Sequence, residues 1–494
     1  MRRMLAVLLA LIFVCGCGRS LAAPYPTATP EPVTTPTLDP NAIAYDKEHP
    51  EVLYPDQLYA WSAILIEASS GDVIFEKDAD VFRFPASTTK IMTALVALNS
   101  LTDEELDQKV TCSEYAVSLT QNEENVTTLH LQAGEEIILR ELLTATLIYS
   151  ANDGANVIAE AVGGTISHFV DMMNETAQFL GCYNTHFANP NGLHDNDHYT
   201  TAYDLAIIAR AAMQNDTFRD MVRQQSCKIS ATNRHRERTV NTTNQLFNPG
   251  TAERPNRYYY PDIIGIKTGF TSLAQYCFVG AAARDGVELI SVIMYAGDNS
   301  RWADTIKLLN YGFAQYISVS PVDLYNTNPI ILQTSGYSLK DTGLGVLSLS
   351  CVPADAVAAR ARIIATKDDV EYMKTNYRSM ALIDYVRDFT APIRAGDVIG
   401  TLTWPLDSGE TVTFNLVADR TIATRDNLPK TIEEIVAETD ADTNPFPPFS
   451  VELALEISAI LGAVVGLYFL IRWLLFGRGR RRGRGPKVKS RYLR

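Results

Sequence analysis

The chain has 494 residues, and its 43 lysines and arginines against 57 aspartates and glutamates leave a formal net charge of -14 at pH 7. That length is too great for one core, and an acidic surface argues against nucleic acid as a partner. The cysteines show no Cys-x-x-Cys spacing and the histidines are scattered, so neither a metal nor a cofactor is expected.

In chain order, the basic start Arg2-Arg3 and the apolar run over residues 5–14 read as a signal peptide, residues 1–23, which exports the chain. Val14-Cys15-Gly16-Cys17 resembles a lipobox with Cys17 lipidated, whereas Ser20-Leu21-Ala22 offers an ordinary cleavage site; both readings stay open. Residues 24–50 form a Pro/Thr-rich linker.

Pro85-Ala86-Ser87 then leads into Thr88 and a run with apolar residues at helical spacing. Ser87 is expected at a helix N-terminus, where unpaired N–H groups and the positive dipole end favour an anionic serine and the oxyanion it generates. Lys90, three residues on, shares its face. Screened from water and beside other cations, that lysine can lose its proton and act as a base. Alone, the pair reads more readily as a helix cap and a solvated lysine.

Residues 142–149 read as a buried helix running into the polar turn Ser150-Ala151-Asn152. Polar groups between buried helices must find partners or carry function. Ser150 could pass a proton between Lys90 and a leaving amine, and Asn152 could bond a substrate backbone. Further on, residues 263–271, 276–283 and 288–295 read as a three-stranded antiparallel meander. Lys267 and Thr268 on its first strand would meet a terminal carboxylate, and Gly269 would allow close approach.

The first part, residues 51–318, is taken as the catalytic domain. Beyond it, alternating runs at 396–404 and 410–418 suggest a small β-sandwich domain over 319–425. Residues 426–451 are acidic with prolines and read as a juxtamembrane linker, 452–476 as a transmembrane helix and 477–494 as a basic tail. Export at the front and a basic tail behind place the catalytic part outside the cell membrane and the tail in the cytoplasm.

Pro85-Ala86-Ser87-Thr88-Thr89-Lys90, Ser150-Ala151-Asn152 and Gly265-Ile266-Lys267-Thr268-Gly269 occur in that order. Asn189-Pro190-Asn191-Gly192-Leu193 and His198-Tyr199-Thr200-Thr201-Ala202-Tyr203-Asp204 lie between the second and third. Together they resemble the low-molecular-weight penicillin-binding proteins, more narrowly the serine-type D-Ala-D-Ala carboxypeptidases of the peptidase S11 family, over roughly residues 57–425. The resemblance implies an α/β penicilloyl-serine-transferase fold, β-lactamase/transpeptidase-like, with an antiparallel sheet flanked by helices, an all-helical lobe and the cleft between them. It implies Ser87 as the acylated nucleophile, Lys90 as its base, and Ser150 and Asn152 as proton relay and peptide grip. Lys267 and Thr268 would bind the carboxylate, with the backbone N–H groups of Ser87 and Phe270 as oxyanion hole. Phe270 stands where many relatives carry histidine; because the donor is a backbone group, the chemistry is expected to survive.

The implied activity is removal of the terminal D-Ala from peptidoglycan stem pentapeptides, with β-lactams as covalent inhibitors. A class A β-lactamase on the same fold would carry a Glu-x-x-Leu-Asn segment, which is absent from the sequence. A DD-endopeptidase shares the acyl-enzyme, so the sequence does not separate it. A non-catalytic β-lactam-sensing or wall-binding protein would have no need of both Ser87 and Lys90.

Overall fold

The computed structural model describes residues 44–121, 126–406, 409–425 and 451–476. The expected signal peptide with Cys17, most of the Pro/Thr-rich linker, nearly all of the juxtamembrane linker and the basic tail lie outside the described residues.

The principal sheet has five strands, β1 (Ser62–Glu67), β2 (Val73–Lys77), β3 (Ile263–Thr271), β4 (Gln275–Arg284) and β5 (Val287–Ala296), in the order β2-β1-β5-β4-β3. Every neighbouring pair is antiparallel. The expected meander β3 to β5 is present, and β1 joins it with Ala63 opposite Ile293. β1 shows no apolar/polar alternation because both its faces are covered: Ile64 and Ile66 belong to one core cluster, Ala63 and Leu65 to the other.

The first cluster is shared with the helical lobe, built from α1 (Lys90–Ser100), α2 (Leu139–Ile148), α3 (Asn152–Gly163), α4 (Ile166–Phe179) and α5 (Ala202–Met213). α1 is buried at every position from Lys90 to Leu98, as an all-round apolar helix should be. α4 buries only the stripe Phe169, Met173 and Ala177. On the opposite face of the sheet, α6 (Ser300–Gln315) packs Trp302, Leu308 and Leu309 with Leu65, Phe278 and Leu289. The sheet, its flanking helices and the helical lobe are the penicilloyl-serine-transferase arrangement. The five cysteines among the described residues are free and buried.

A second antiparallel sheet follows, with β6 (Ile331–Gln333), β7 (Val346–Pro353), β8 (Leu382–Tyr385), β9 (Val398–Pro405) and β10 (Thr411–Ala418) in the order β6-β7-β10-β9-β8. β10 alternates as expected, burying Val412, Phe414, Leu416 and Ala418. Among the described residues the layer against this sheet is helical, where a second strand layer was expected. Tyr325 of helix Pro321–Thr327 and Tyr377 of helix Lys367–Met380 are buried with rings 5.7 Å apart, and the Tyr325 hydroxyl donates to Leu349 O at 2.7 Å. Helix Lys367–Met380 buries only Val370 and Tyr377, too few apolar positions for its period to show in the sequence.

The described residues divide into two compact units: those within 44–334, 346–389 and 393–421 in one, and those within 335–345, 390–392 and 422–476 in the other. Everything above belongs to the first. In the second, Tyr337 bridges Thr424 and the Arg425 N–H donates to Gly336 O. The second unit also holds α7 (Val451–Phe476), 26 residues or about 39 Å at helical rise. Its stretch Leu455–Arg472 is long and apolar enough to cross a membrane, whose hydrocarbon core is about 30 Å thick.

Candidate active site

Ser87 lies in the 3₁₀ turn Ala86–Thr89, which runs directly into α1. The turn is entered through Ala86 at φ 50°, a left-handed conformation uncommon for a residue with a Cβ. Gly192, at φ 82°, presses its backbone on this turn; a Cβ there would lie 1.9 Å from Ala86 O, so only glycine fits.

Lys90 is wholly buried. Its Nζ lies 3.0 Å from Ser87 Oγ, 2.8 Å from Asn152 Oδ1 and 2.5 Å from Asn191 O. Burial pushes its pKa well below the ordinary lysine range, and the Lys267 charge pushes the same way against the opposing pull of Asp153. Asn152 opens α3, and its Nδ2 donates to Thr127 O at 3.0 Å. That contact fixes the amide so that Oδ1 faces Lys90. Asn191 is itself held, its Nδ2 donating to Asn156 Oδ1 at 2.9 Å.

Lys267 on β3 is also buried, and its Nζ donates to Thr268 O at 2.9 Å. Burial, with Arg301 nearby, brings its pKa down to about 7. Thr268 Oγ1 lies 2.6 Å from Thr243 Oγ1. A Cβ on Gly269 would meet Pro85 O at 3.0 Å and Thr88 N at 3.2 Å, so the close approach that this glycine permits is that of β3 to the Ser87 turn. Phe270 is half exposed, with its ring 4.4 Å from that of Tyr276.

These elements enclose a cleft of about 260 Å³. Ser87, Ser150, Asn152, Thr268, Gly269 and Phe270 line it, while Lys90 and Lys267 are buried behind its wall. Ser150, at φ 77°, is buried but for its face on the cleft. All eight residues singled out in the sequence therefore gather in one place. Sequence reasoning gave no role to two others. Asn191 stands in a quoted motif, but the group that Lys90 meets is its backbone carbonyl. Arg301, in the first turn of α6, also lines the cleft, its guanidinium 4.5 Å over the Tyr276 ring and 3.0 Å from Asp298. Neither carries a local signal. No carboxylate is among the lining residues described.

A larger cavity of about 620 Å³ lies along α6, lined by Tyr45, Tyr59, Tyr258 and Lys307 among others. Size does not decide between the two, because this one brings no nucleophile and base together. Its Lys307 is committed to Gln57 O and Asp304.

Residues 48–298 match the family model described as D-alanyl-D-alanine carboxypeptidase, Peptidase_S11. The chain is 29% identical over 381 residues to D-alanyl-D-alanine carboxypeptidase DacF of Bacillus subtilis (strain 168), covering 75% of this chain and 86% of that one. It is 35% identical over 257 residues to D-alanyl-D-alanine carboxypeptidase DacB2 of Mycobacterium tuberculosis, covering 51% and 81%. The crystal structure of the Streptomyces K15 DD-transpeptidase is 32% identical, with a TM-score of 0.47 over 52% of this chain and 98% of that one. The family match takes in every residue that lines the cleft except Arg301 and covers more than half the chain, so the protein belongs to the peptidase S11 family of serine-type D-alanyl-D-alanine carboxypeptidases.

Proposed function

We propose that this carboxypeptidase works through a Ser87 acyl-enzyme with Lys90 as its base. The observation that carries the reading is the set of three partners around Lys90 Nζ. Asn152 Oδ1 and Asn191 O can only accept. A neutral amine has two N–H groups and one lone pair. The two N–H groups go to those acceptors, and the lone pair is left facing Ser87 Oγ, the one partner with a proton to give. Burial favours the neutral form.

Ser87 Oγ, giving its proton to Lys90, bonds to the penultimate D-Ala carbonyl carbon. The backbone N–H groups of Ser87 and Phe270 receive the oxyanion. The C–N bond then breaks as the proton returns through Ser150 to the leaving amine, and D-Ala departs. Water hydrolyses the ester and frees Ser87. Thr268 and Arg301 on the cleft wall meet the terminal carboxylate, Lys267 adds its charge from behind Thr268, and Asn152 steadies both Lys90 and the peptide. The substrate is a peptidoglycan stem peptide ending in D-Ala-D-Ala. β-Lactams acylate the same serine.

Because no carboxylate lines the described cleft, nothing is placed to activate water against a rigid penicilloyl ester. The adduct is expected to persist for many minutes after free penicillin is removed, as followed by fluorescence on gels. Rapid turnover of a chromogenic β-lactam would favour a β-lactamase.

Residues 51–318 form the catalytic domain and 319–425 the β-rich domain, which holds the cleft away from the membrane. α7 anchors the protein, with the cleft outside and the basic tail in the cytoplasm. The length and apolar surface of α7 support the anchor; the orientation rests on the export signal and the basic tail in the sequence. A chain ending near residue 444 is expected to be secreted soluble and active. Retention in the membrane fraction that Cys17→Ala relieves would assign the anchor to a lipid on Cys17; retention despite that change would count against both anchors.

A further inference from the structure

Behind the Ser87 turn, a run of hydrogen bonds has only one possible direction. The Ala188 N–H can only donate, and it points at His198 Nδ1 at 3.1 Å. Nδ1 therefore carries no proton, and the single proton of the neutral ring sits on Nε2. Nε2 lies 2.7 Å from Thr89 Oγ1, so the hydroxyl accepts there and gives its own proton to Ala86 O at 2.8 Å. Burial above all brings His198 down to about 3, in keeping with the neutral ring that these contacts require. Thr89 and His198 are both buried and neither lines the cleft. They touch no substrate.

The last acceptor, Ala86 O, belongs to the peptide that carries the Ser87 N–H. A peptide is planar and trans, so its carbonyl and N–H point in opposite directions and fixing one fixes the other. Ala86 is left-handed at φ 50°, a conformation that persists only where the surroundings enforce it. Here the carbonyl is caught between the Thr89 hydroxyl and the backbone of Gly192. A hydrogen bond accepted by the carbonyl also polarises the peptide and strengthens its N–H as a donor. We propose that His198 is a positioning residue for the oxyanion hole, acting through Thr89 on the Ala86–Ser87 peptide. The inference rests on the reading of Ser87 as nucleophile and its N–H as oxyanion donor.

Thr89→Val in the full-length protein, held in detergent, keeps the side-chain shape and removes the hydroxyl. Its acylation rate constant with a fluorescent penicillin is expected to fall about tenfold or more, towards the roughly hundredfold lost with a whole oxyanion donor. The dissociation constant of the preceding non-covalent complex should stay within about twofold, because the contact forms with the oxyanion. Thr89→Ser, which keeps the hydroxyl, recovers most of the rate. A thionoester substrate, with sulfur for the carbonyl oxygen, reads the oxyanion contact directly. The preference of the wild type for the oxygen ester should narrow in Thr89→Val, which a merely loosened fold does not produce. Wild-type acylation with an unchanged oxygen-to-sulfur preference overturns the proposal. If Thr89→Val does not fold, His198→Phe cuts the same run one link earlier and is judged by the same two readouts. Penicillin labelling that survives Ser87→Ala overturns the nucleophile assignment beneath the inference, an outcome distinct from normal rates in Thr89→Val.

Discussion

Ser87→Ala is expected to abolish covalent labelling by fluorescent penicillin, and Lys90→Met to slow it by roughly 10²- to 10⁴-fold, the range of a positioned general base. The two losses differ in kind. Ser87 supplies the atom that becomes the ester oxygen, so no slow residual reaction through it remains. Lys90→Met leaves the hydroxyl in place without an acceptor for its proton, and a strong external amine should return part of the rate. In the wild type, acylation should increase with pH as Lys90 loses its proton, and this rise falls below the ordinary lysine range because burial disfavours the charged form. A pH-independent acylation rate, or labelled Ser87→Ala protein, would remove the pair from the mechanism.

Converting the terminal carboxylate of the substrate to an amide is expected to lower kcat/KM by roughly tenfold to a hundredfold, since a charge-assisted hydrogen bond contributes about 1.5–3 kcal/mol. Arg301→Leu should reproduce that loss on the acid substrate and add little on the amide, because both changes delete the same contact. Lys267→Met should fall on both substrates, and further on the acid, which also loses the charge behind Thr268. The Lys267 ammonium is spent on Thr268 O, and losing it disturbs the strand that carries Thr268 and Phe270. If Arg301→Leu hurts acid and amide equally, the carboxylate is read elsewhere and the preference for a chain end needs another source.

The residues whose partners lie close in sequence were legible. Ser87 and Lys90 meet because a helix brings positions three apart to one face, and the meander from β3 to β5 declares itself through its own turns. What stayed hidden depends on distant chain. Lys90 reaches Asn191 O across 101 residues, and a backbone carbonyl leaves no mark in composition. Arg301 looks like any charge at the start of a helix until α6 is laid against the cleft. Membership of β1 in the sheet was equally silent, since its unbroken apolar run matches a buried helix segment as well as a strand. Helix Lys367–Met380 failed for the opposite reason, with two buried positions in 14 residues.

The tight seating of Gly269 on Pro85 and Thr88 has a consequence for drug resistance. One proposed oxyanion donor comes from the turn that starts the helical lobe and the other from the sheet, and the distance between them is set by the contact of Gly269 with Pro85 O and with Thr88 N and Cγ2, with no long side chain to adjust it. Penicillin and the natural peptide develop their negative charge in that same gap. A substitution that widens it, such as Gly269→Ala, cannot tell the two apart, so escape from the antibiotic by this route forfeits native turnover in the same proportion. Selective resistance has to arise where the two ligands differ in shape, along the cleft wall beyond the reacting carbonyl.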